Sequence, residues 1–190
     1  MPPHPNPKYT LEQYMTPPEL VASIVWLAYL RGEIVGRRVV ELGCGTGPFC
    51  VAVTILNGYC ICVEIDEESI HKGKEYASKY SLLSRIDYLQ ANVENLHLRR
   101  VDVVFQNPPF GVVNRGIDII FLRKAMEIGN VIYSIHKSNE ESRRIILELA
   151  KEKGYNVDLI STKYKLKAYY PWHKKKFHEF LVDIYLFTKT

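Results

Sequence analysis

The chain has 190 residues, of which 47% are hydrophobic and 24% are charged, as in an ordinary globular protein of one domain. Its longest strongly apolar stretch covers residues 20–30 and falls short of the roughly 20 residues that cross a bilayer, so no membrane attachment is expected. The net charge is only +4, and prolines and a histidine stand where a signal peptide would have basic and then apolar residues, so no signal peptide is predicted.

Three segments are predicted within the single domain of residues 1–190. Residues 1–8 are rich in proline and are predicted to be flexible. Residues 9–35 are predicted to be helical, with Thr16 as the N-cap followed by proline and, three residues after the cap, an acid. Residues 36–190 are expected to form a catalytic sheet, because no linker or repeat divides them.

A glycine-rich turn, E-L-G-C-G-T-G in residues 41–47, follows the first predicted strand. Glycine allows the backbone to approach a nucleotide-like ligand closely. The order E-x-G-x-G-x-G differs from the G-x-G-x-x-G of a dinucleotide site, and the carboxylate of Glu41 suits a ligand with a sulfonium and an ammonium group. The turn therefore predicts an S-adenosylmethionine site.

Four cysteines, at positions 44, 50, 60 and 62, lie in this turn and around the second strand. They include no C-x-x-C pair, and no histidine stands at zinc-site spacing. We predict reduced, packed cysteines in an intracellular, cytoplasmic protein and no metal site, with a disulfide or metal role as the alternative.

Polar residues after the next two strands extend the predicted cofactor site. Glu64 ends the second strand and is assigned to the two ribose hydroxyls, while Asp66 is assigned to a helix N-cap and is the alternative ribose ligand. Asn92 and Val93 follow the third strand, where the cofactor adenine is expected.

Short β-rich runs alternate with helical stretches after residue 36, and one helix is predicted to begin at a capping box of Ser138 and Glu141. The predicted strands are residues 38–42, 60–65, 86–90, 101–106, 130–135, 155–161 and 180–187. This alternation predicts an α/β fold with a doubly wound, mostly parallel, seven-stranded sheet, in which the last two strands pair antiparallel.

The motif N-P-P-F, formed by Asn107, Pro108, Pro109 and Phe110, follows the fourth strand. The Asn107 side-chain oxygen and the Pro108 carbonyl offer two acceptors to an exocyclic amine, which is a poor nucleophile while its lone pair is delocalised. Phe110 offers a flat face on which a base can stack. The motif therefore predicts methylation of an amino nitrogen by positioning.

The C-terminal fifth of the chain is basic, with nine lysines and four acidic residues in 151–190 and a net charge of −1 elsewhere. Interleaved lysines and aromatic residues are typical of surfaces that bind phosphates and unpaired bases. The predicted nucleic-acid contacts are His136, Lys137, Lys163, Lys165, Lys167, Tyr169, Trp172, His173, Lys174, Lys175 and Lys176.

Five segments together resemble the archaeal and eukaryotic small-subunit ribosomal-RNA adenine N6-methyltransferases, which are class I methyltransferases with the N-P-P-F signature. The segments are the glycine turn, L-E-Q-Y-M-T at 11–16, N-P-P-F-G at 107–111, S-I-H-K-S at 134–138 and H-K-K-K at 173–176. The cofactor contacts that follow from the turn and the resemblance are Gln13, Tyr14, Thr16, Glu41, Gly43, Cys44, Gly45, Thr46, Glu64, Asn92, Val93 and Asn107. Glu64 and Asn92 stand where the family commonly has aspartate.

The resemblance also implies a small zinc-binding activator subunit, with residues 86–89 as a plausible site for strand addition. The alternative activities are a release-factor glutamine N5-methyltransferase, which would be expected to have Tyr at position 110 and a larger N-terminal domain, and a non-catalytic RNA-binding module. A DNA adenine methyltransferase is disfavoured, because 190 residues leave no room for a separate target-recognition domain.

Overall fold

Strands and helices alternate along the chain in the computed structural model, which describes residues 2–167 and 177–190, with the side chains of 2–164 and 179–190. The helices are α1 (Pro18–Leu30), α2 (Pro48–Ile55), α3 (Glu67–Lys79), α4 (Ile117–Ile128) and α5 (Glu140–Glu152). The strands are β1 (Arg38–Leu42), β2 (Tyr59–Glu64), β3 (Ile86–Gln90), β4 (Val101–Gln106), β5 (Gly129–Lys137), β6 (Tyr155–Lys167) and β7 (Phe177–Lys189). Short 3-10 turns cover Tyr9–Leu11, Leu83–Arg85 and Val93–Asn95.

All seven strands form one sheet in the order β3-β2-β1-β4-β5-β7-β6. Strands β1 to β5 pair in parallel, and β7 runs antiparallel to both of its neighbours. The predicted doubly wound sheet with an antiparallel last strand is therefore confirmed. β6 extends six residues beyond its predicted end, because it pairs with β7 along its whole length even where its sequence is basic.

Helices cover both faces of the sheet, because neighbouring strand residues point to opposite sides. Val39 packs into a core with α1, α2 and α3. Val40 packs on the other side, in a core with α4 and α5. No helix among the described residues is both long and apolar enough to span a membrane.

Two of the three predicted helix caps are wrong. Thr16 does not cap α1, because Pro18 disfavours helical geometry in the residue before it, so Pro17 is extended and the helix begins at Pro18. Asn139, and not Ser138, caps α5 by accepting a hydrogen bond from the Ser142 amide. The Ser138 hydroxyl instead accepts a hydrogen bond from an arginine of α5.

The third cap is confirmed, since Asp66 accepts a hydrogen bond from the Ser69 amide at the start of α3.

The prediction of reduced cysteines is wrong, because the structure pairs Cys44 with Cys62 and Cys50 with Cys60. The fold lays the glycine turn and α2 against β2, and this brings the paired Cα atoms to 5.5 and 5.2 Å, within the range of a disulfide. Glu41, Cys50 and Cys62 form the one group of potential metal ligands within the described residues. Both of its sulfurs are already bonded, so we assign no metal there.

Candidate functional site

Two adjoining cavities lie at the carboxyl ends of β1, β2 and β4, the edge where ligands sit in such sheets. Together we call them the cleft. All twelve residues predicted to contact the cofactor line it. We call the larger cavity the outer one and the smaller the inner one. The outer cavity alone is lined by Gln13, Glu64, Asn92 and Val93, and the inner cavity alone by residues that include Thr16 and Glu41.

The glycine turn forms one wall of the cleft, and glycine is required in it for two reasons. Gly43 and Gly45 have φ values of 63° and 54°, which other residues rarely adopt. A Cβ atom on Gly43 would also come within 2.8 Å of the Phe121 ring. The fold itself therefore requires glycine in this turn, and the close approach of its backbone to a ligand stays a prediction.

Glu41 is buried beneath the turn, and its carboxylate accepts hydrogen bonds from the amides of Phe49 and Cys50 at 3.2 and 2.8 Å. Burial raises the pKa of Glu41 to about 8, although these two hydrogen bonds oppose the rise. The carboxylate thus caps the N-terminus of α2, which has no side-chain cap of its own. This is a structural use in addition to the predicted cofactor role.

Glu64 is held at the end of β2 by backbone donors. Its carboxylate accepts hydrogen bonds from the amides of Gly45, Ile65 and Asp66 at 2.7, 2.8 and 2.9 Å. Burial raises the pKa of Glu64, and the same hydrogen bonds oppose the rise. Its position in the cleft is compatible with the predicted ribose role.

Asp66 does not line the cleft. Its carboxylate forms an ion pair with Lys8 at 2.5 Å and accepts a hydrogen bond from Gln13 at 3.0 Å. Burial alone would raise the pKa of Asp66, but its donors outweigh this effect and lower the pKa to about 2. Glu64 is therefore the better placed of the two candidate ribose ligands.

Asn92 and Val93 begin the 3-10 turn that follows β3. The Asn92 side-chain oxygen accepts a hydrogen bond from the Glu94 amide at 3.0 Å, and Val93 is buried. The cap holds Asn92 at the rim of the outer cavity. The predicted adenine contacts thus belong to a turn that is fixed by its own hydrogen bond.

The N-terminal segment, residues 2–8, lies across the glycine turn. The Thr46 hydroxyl donates a hydrogen bond to the Pro2 carbonyl at 3.1 Å, and the His4 imidazole bonds the Ser69 hydroxyl at 2.9 Å. Burial lowers the pKa of His4 to about 4, despite the nearby charge of Asp66. The flexibility predicted for residues 1–8 stays a prediction, and no sequence signal pointed to His4 as a residue of the cleft.

Asn107 lies where the two cavities meet. Its amide nitrogen donates to the Thr16 hydroxyl and to the Tyr164 hydroxyl, each at 3.0 Å. Its amide oxygen, Oδ1, is buried and has no hydrogen-bond partner among the described residues. Buried polar atoms are almost always paired, so an orphaned acceptor in a cleft indicates a missing donor.

Phe110 is half-buried and meets Tyr164 and Phe180 edge to face, with ring centroids 6.0 and 5.7 Å apart. Pro108 is buried, and Pro109 lines the outer cavity. The N-P-P-F motif thus joins the cleft to an aromatic cluster of Phe110, Tyr164 and Phe180. The sequence prediction did not place Tyr164 or Phe180 beside this motif, because they belong to the distant strands β6 and β7.

Glu12 was also missed. Its side chain is buried in the cleft, and one carboxylate oxygen accepts a hydrogen bond from the Val113 amide at 2.7 Å. The other oxygen is buried, and no described residue donates a hydrogen bond to it. Glu12 therefore ties the segment before α1 to the loop that follows N-P-P-F.

The predicted nucleic-acid contacts have different outcomes. Lys137 is exposed at the end of β5, and Lys163 is exposed and forms an ion pair with Glu179 at 3.0 Å. Lys165 and Lys167 belong to β6, but their side chains lie outside the description, as do Tyr169, Trp172, His173, Lys174, Lys175 and Lys176.

The assignment of His136 to nucleic acid is contradicted, because its side chain is only 1% exposed. Its imidazole bonds the Ser134 hydroxyl at 2.7 Å and lies 3.4 Å from the Asp118 carboxylate. Residues 132–136 of β5 are all buried, because helices cover both faces of the sheet there, whereas Lys137 is exposed at the end of the strand.

Comparison with known proteins gives a consistent set of relatives. Residues 39–127 match the family model described as "Methyltransferase domain". The chain is 32% identical to the rRNA N(6)-adenosine-methyltransferase METTL5 of Danio rerio, over 97% of this chain and 92% of that protein. It is 32% identical to the protein of the same name in Drosophila melanogaster, over 96% of this chain and 88% of that protein.

Among solved structures, a putative RNA methyltransferase from Pyrococcus horikoshii superposes with a TM-score of 0.91 at 36% identity. The match covers all of this chain and 93% of that one. The fold is that of a class I methyltransferase.

Proposed function

The chain belongs to the METTL5 family of S-adenosylmethionine-dependent RNA methyltransferases, and we propose that it methylates the N6 amino group of an adenine in small-subunit ribosomal RNA. The observation that carries the proposal is the orphaned oxygen of Asn107. The exocyclic amine of an adenine can donate the hydrogen bond that this oxygen is missing.

The residues of the cleft fit the cofactor. A sulfonium cofactor supplies an electrophilic methyl group and carries an adenosine. The turn at Gly43 and Gly45 offers a closely approachable backbone, Glu64 offers carboxylate oxygens to a diol, and Asn92 stands at the rim for the adenine.

The chemistry assigned to Asn107 is positioning. Its oxygen and the Pro108 carbonyl accept the two hydrogens of the target amine. This draws the nitrogen towards tetrahedral geometry and exposes its lone pair to the methyl group. The aromatic cluster offers the ring of Phe110 to the extruded base.

RNA binding is proposed for the surface beside this cluster. Lys137 ends β5, next to the carboxyl end of β4 that leads into N-P-P-F, and exposed Lys163 adjoins Tyr164 in β6. Residues 173–176, H-K-K-K, lie outside the described residues, and their positive charge is part of this proposal from the sequence alone.

The deciding experiment incubates the chain with tritiated cofactor and small-subunit ribosomal RNA, then digests the RNA and identifies the labelled nucleoside. N6-methyladenosine is expected, and an Asn107→Ala chain is the matched control. A parallel incubation replaces the RNA with a translation release factor. Label in the release factor and none in the RNA would contradict the proposal and favour a release-factor glutamine N5-methyltransferase.

We also propose that a small zinc-binding activator subunit adds a strand to β3. This strand is an edge of the sheet, since it pairs only with β2, and Leu89 is 36% exposed on it. The amide of Gln90 faces the free edge, because that of the next residue, Ala91, donates to the Glu64 carbonyl at the end of β2. Gln90→Pro should therefore abolish a complex with co-expressed activator in gel filtration. Leu159→Pro is the control on β6, the opposite edge of the sheet, where Leu159 is 39% exposed. If the β3 and β6 variants had equal melting temperatures and lost the activator complex to the same extent, attachment at β3 would be contradicted.

A further inference from the structure

We propose that Tyr164 and Thr16 are positioning residues that fix the orientation of the Asn107 amide, so that its oxygen and not its nitrogen faces the target base. The inference rests on the proposed function, because it assigns a task to residues around the same amide. Both residues act through Asn107.

The amide orientation decides whether the site can accept an amine. The amide nitrogen has two hydrogens and the oxygen only accepts. In the structure the Thr16 and Tyr164 hydroxyls accept both hydrogens, at 3.0 Å each, and within residues 2–164 and 179–190 no group donates to Oδ1. Rotation of the amide by half a turn would present a donor to a target that is itself a donor.

A hydroxyl can donate as well as accept, so its own hydrogen must be directed elsewhere for this arrangement to hold. The Tyr164 hydroxyl lies 3.4 Å from the Met15 carbonyl, which can only accept. A hydrogen that points to Met15 leaves the lone pairs of the oxygen for Asn107. The backbone before α1 thereby sets the direction of the whole chain of hydrogen bonds.

The position of Tyr164 is itself fixed by packing. Its side chain is fully buried, and its ring stacks on Phe180 of the neighbouring strand with centroids 5.3 Å apart. The rings of both Tyr164 and Phe180 contact the Phe110 ring edge to face. One tyrosine therefore connects the amide that binds the amine to the ring proposed to stack on the base.

The test is a double-mutant cycle on single-turnover methyl transfer to RNA at saturating cofactor. Tyr164→Phe keeps the ring and removes the hydroxyl, and Thr16→Val does the same for threonine. Each should slow transfer about 3- to 10-fold, the scale of one neutral hydrogen bond. Thr16→Ser keeps a hydroxyl and should restore the wild-type rate.

In an Asn107→Ala background the same two substitutions should slow the residual reaction no further, because their target is gone. Losses that simply multiply in that background would overturn the proposal and indicate a general packing role. Wild-type rates for both Tyr164→Phe and Thr16→Val beside a slow Asn107→Ala chain would also overturn it. A wild-type rate for Asn107→Ala would instead remove the proposed function.

A second readout does not depend on activity. The side-chain amide hydrogens of Asn107, identified in NMR spectra by their loss in Asn107→Ala, should exchange slowly with solvent in the wild-type chain. Tyr164→Phe and Thr16→Val should each speed exchange several-fold, whereas Thr16→Ser should not. Unchanged exchange in both would overturn the positioning role even if the residual rate of Asn107→Ala were too small to measure.

Discussion

The two sides of the cleft differ in how their polar atoms are used. On the side of the glycine turn, both oxygens of Glu41 and of Glu64 accept hydrogen bonds from backbone amides. On the side of the N-P-P-F motif, Asn107 and Glu12 each keep one buried oxygen to which no residue in the described part of the chain donates. The first side is completed by the fold itself, whereas the second is completed only when a donor enters it. Substitutions on the two sides should therefore affect different measurements.

The largest effect is expected on the unsatisfied side. Asn107→Ala removes one of two acceptors for the target amine, so single-turnover methylation should fall by at least ~100-fold, the scale for loss of a preorganised polar contact. Cofactor affinity measured by calorimetry should change little, because the turn is untouched. A variant that lost affinity and kept its rate would reverse the assignment of the two sides.

A smaller effect, on binding, is expected from Glu64→Ala on the satisfied side. Cofactor binding should weaken by about 1.5–3 kcal/mol, the scale for hydrogen bonds to a charged group. The Asp66→Asn chain is the matched control, because Asp66 does not line the cleft. Calorimetry that showed the larger loss in the control would move the ribose role to Asp66.

The raised pKa of Glu41 should make the free energy of unfolding depend on pH. Its pKa is about 8 in the folded chain, compared with about 4.3 for an exposed glutamate. Between these values the folded state holds a proton that the unfolded state has lost, so the free energy of unfolding should fall as pH rises.

Glu41→Gln should show a shallower fall across this window in denaturant titrations at pH 5 and pH 8. Glu148→Gln, at an exposed position on α5, should keep the wild-type slope. A wild-type slope in the Glu41 variant would mean that another group carries the pH dependence.

The smallest effect is expected outside the cleft. Lys137→Ala should weaken RNA binding modestly and reduce the salt slope by about 0.7–0.9 if one phosphate contact is lost. Cofactor affinity should be unaffected. Filter binding at several salt concentrations tests this, and an unaltered slope would leave Lys137 as a solvated side chain.

The satisfied side was the more predictable one from sequence, because its signals are local. The glycine turn, the acid at the end of β2 and the cap at Asp66 each occupy a few consecutive residues. The alternation of strands and helices along the sequence was sufficient to predict a doubly wound, mostly parallel sheet. Strands β6 and β7 proved longer than their apolar runs.

The unsatisfied side depends on contacts between distant residues, which a local pattern does not contain. Thr16 was predicted as a helix cap, yet its hydroxyl meets an asparagine 91 positions away. The two disulfides escaped prediction for the same reason, since only the packing of the turn and α2 on β2 pairs the cysteines. His136 was assigned to nucleic acid by its basic neighbours in the sequence, whereas in the structure it is buried beside Asp118 of the distant helix α4.

The scatter of Thr16, Asn107 and Tyr164 along the chain has a consequence during synthesis. The strands that carry the glycine turn, Glu64 and Asn92 are all made by residue 106. Tyr164 follows much later, and Phe180 behind it lies on the strand that must insert between β5 and β6. A nascent chain on the ribosome therefore has every element of the cofactor wall well before it can orient the amide of Asn107. If Tyr164 has the proposed role, the full rate of methyl transfer requires the finished polypeptide.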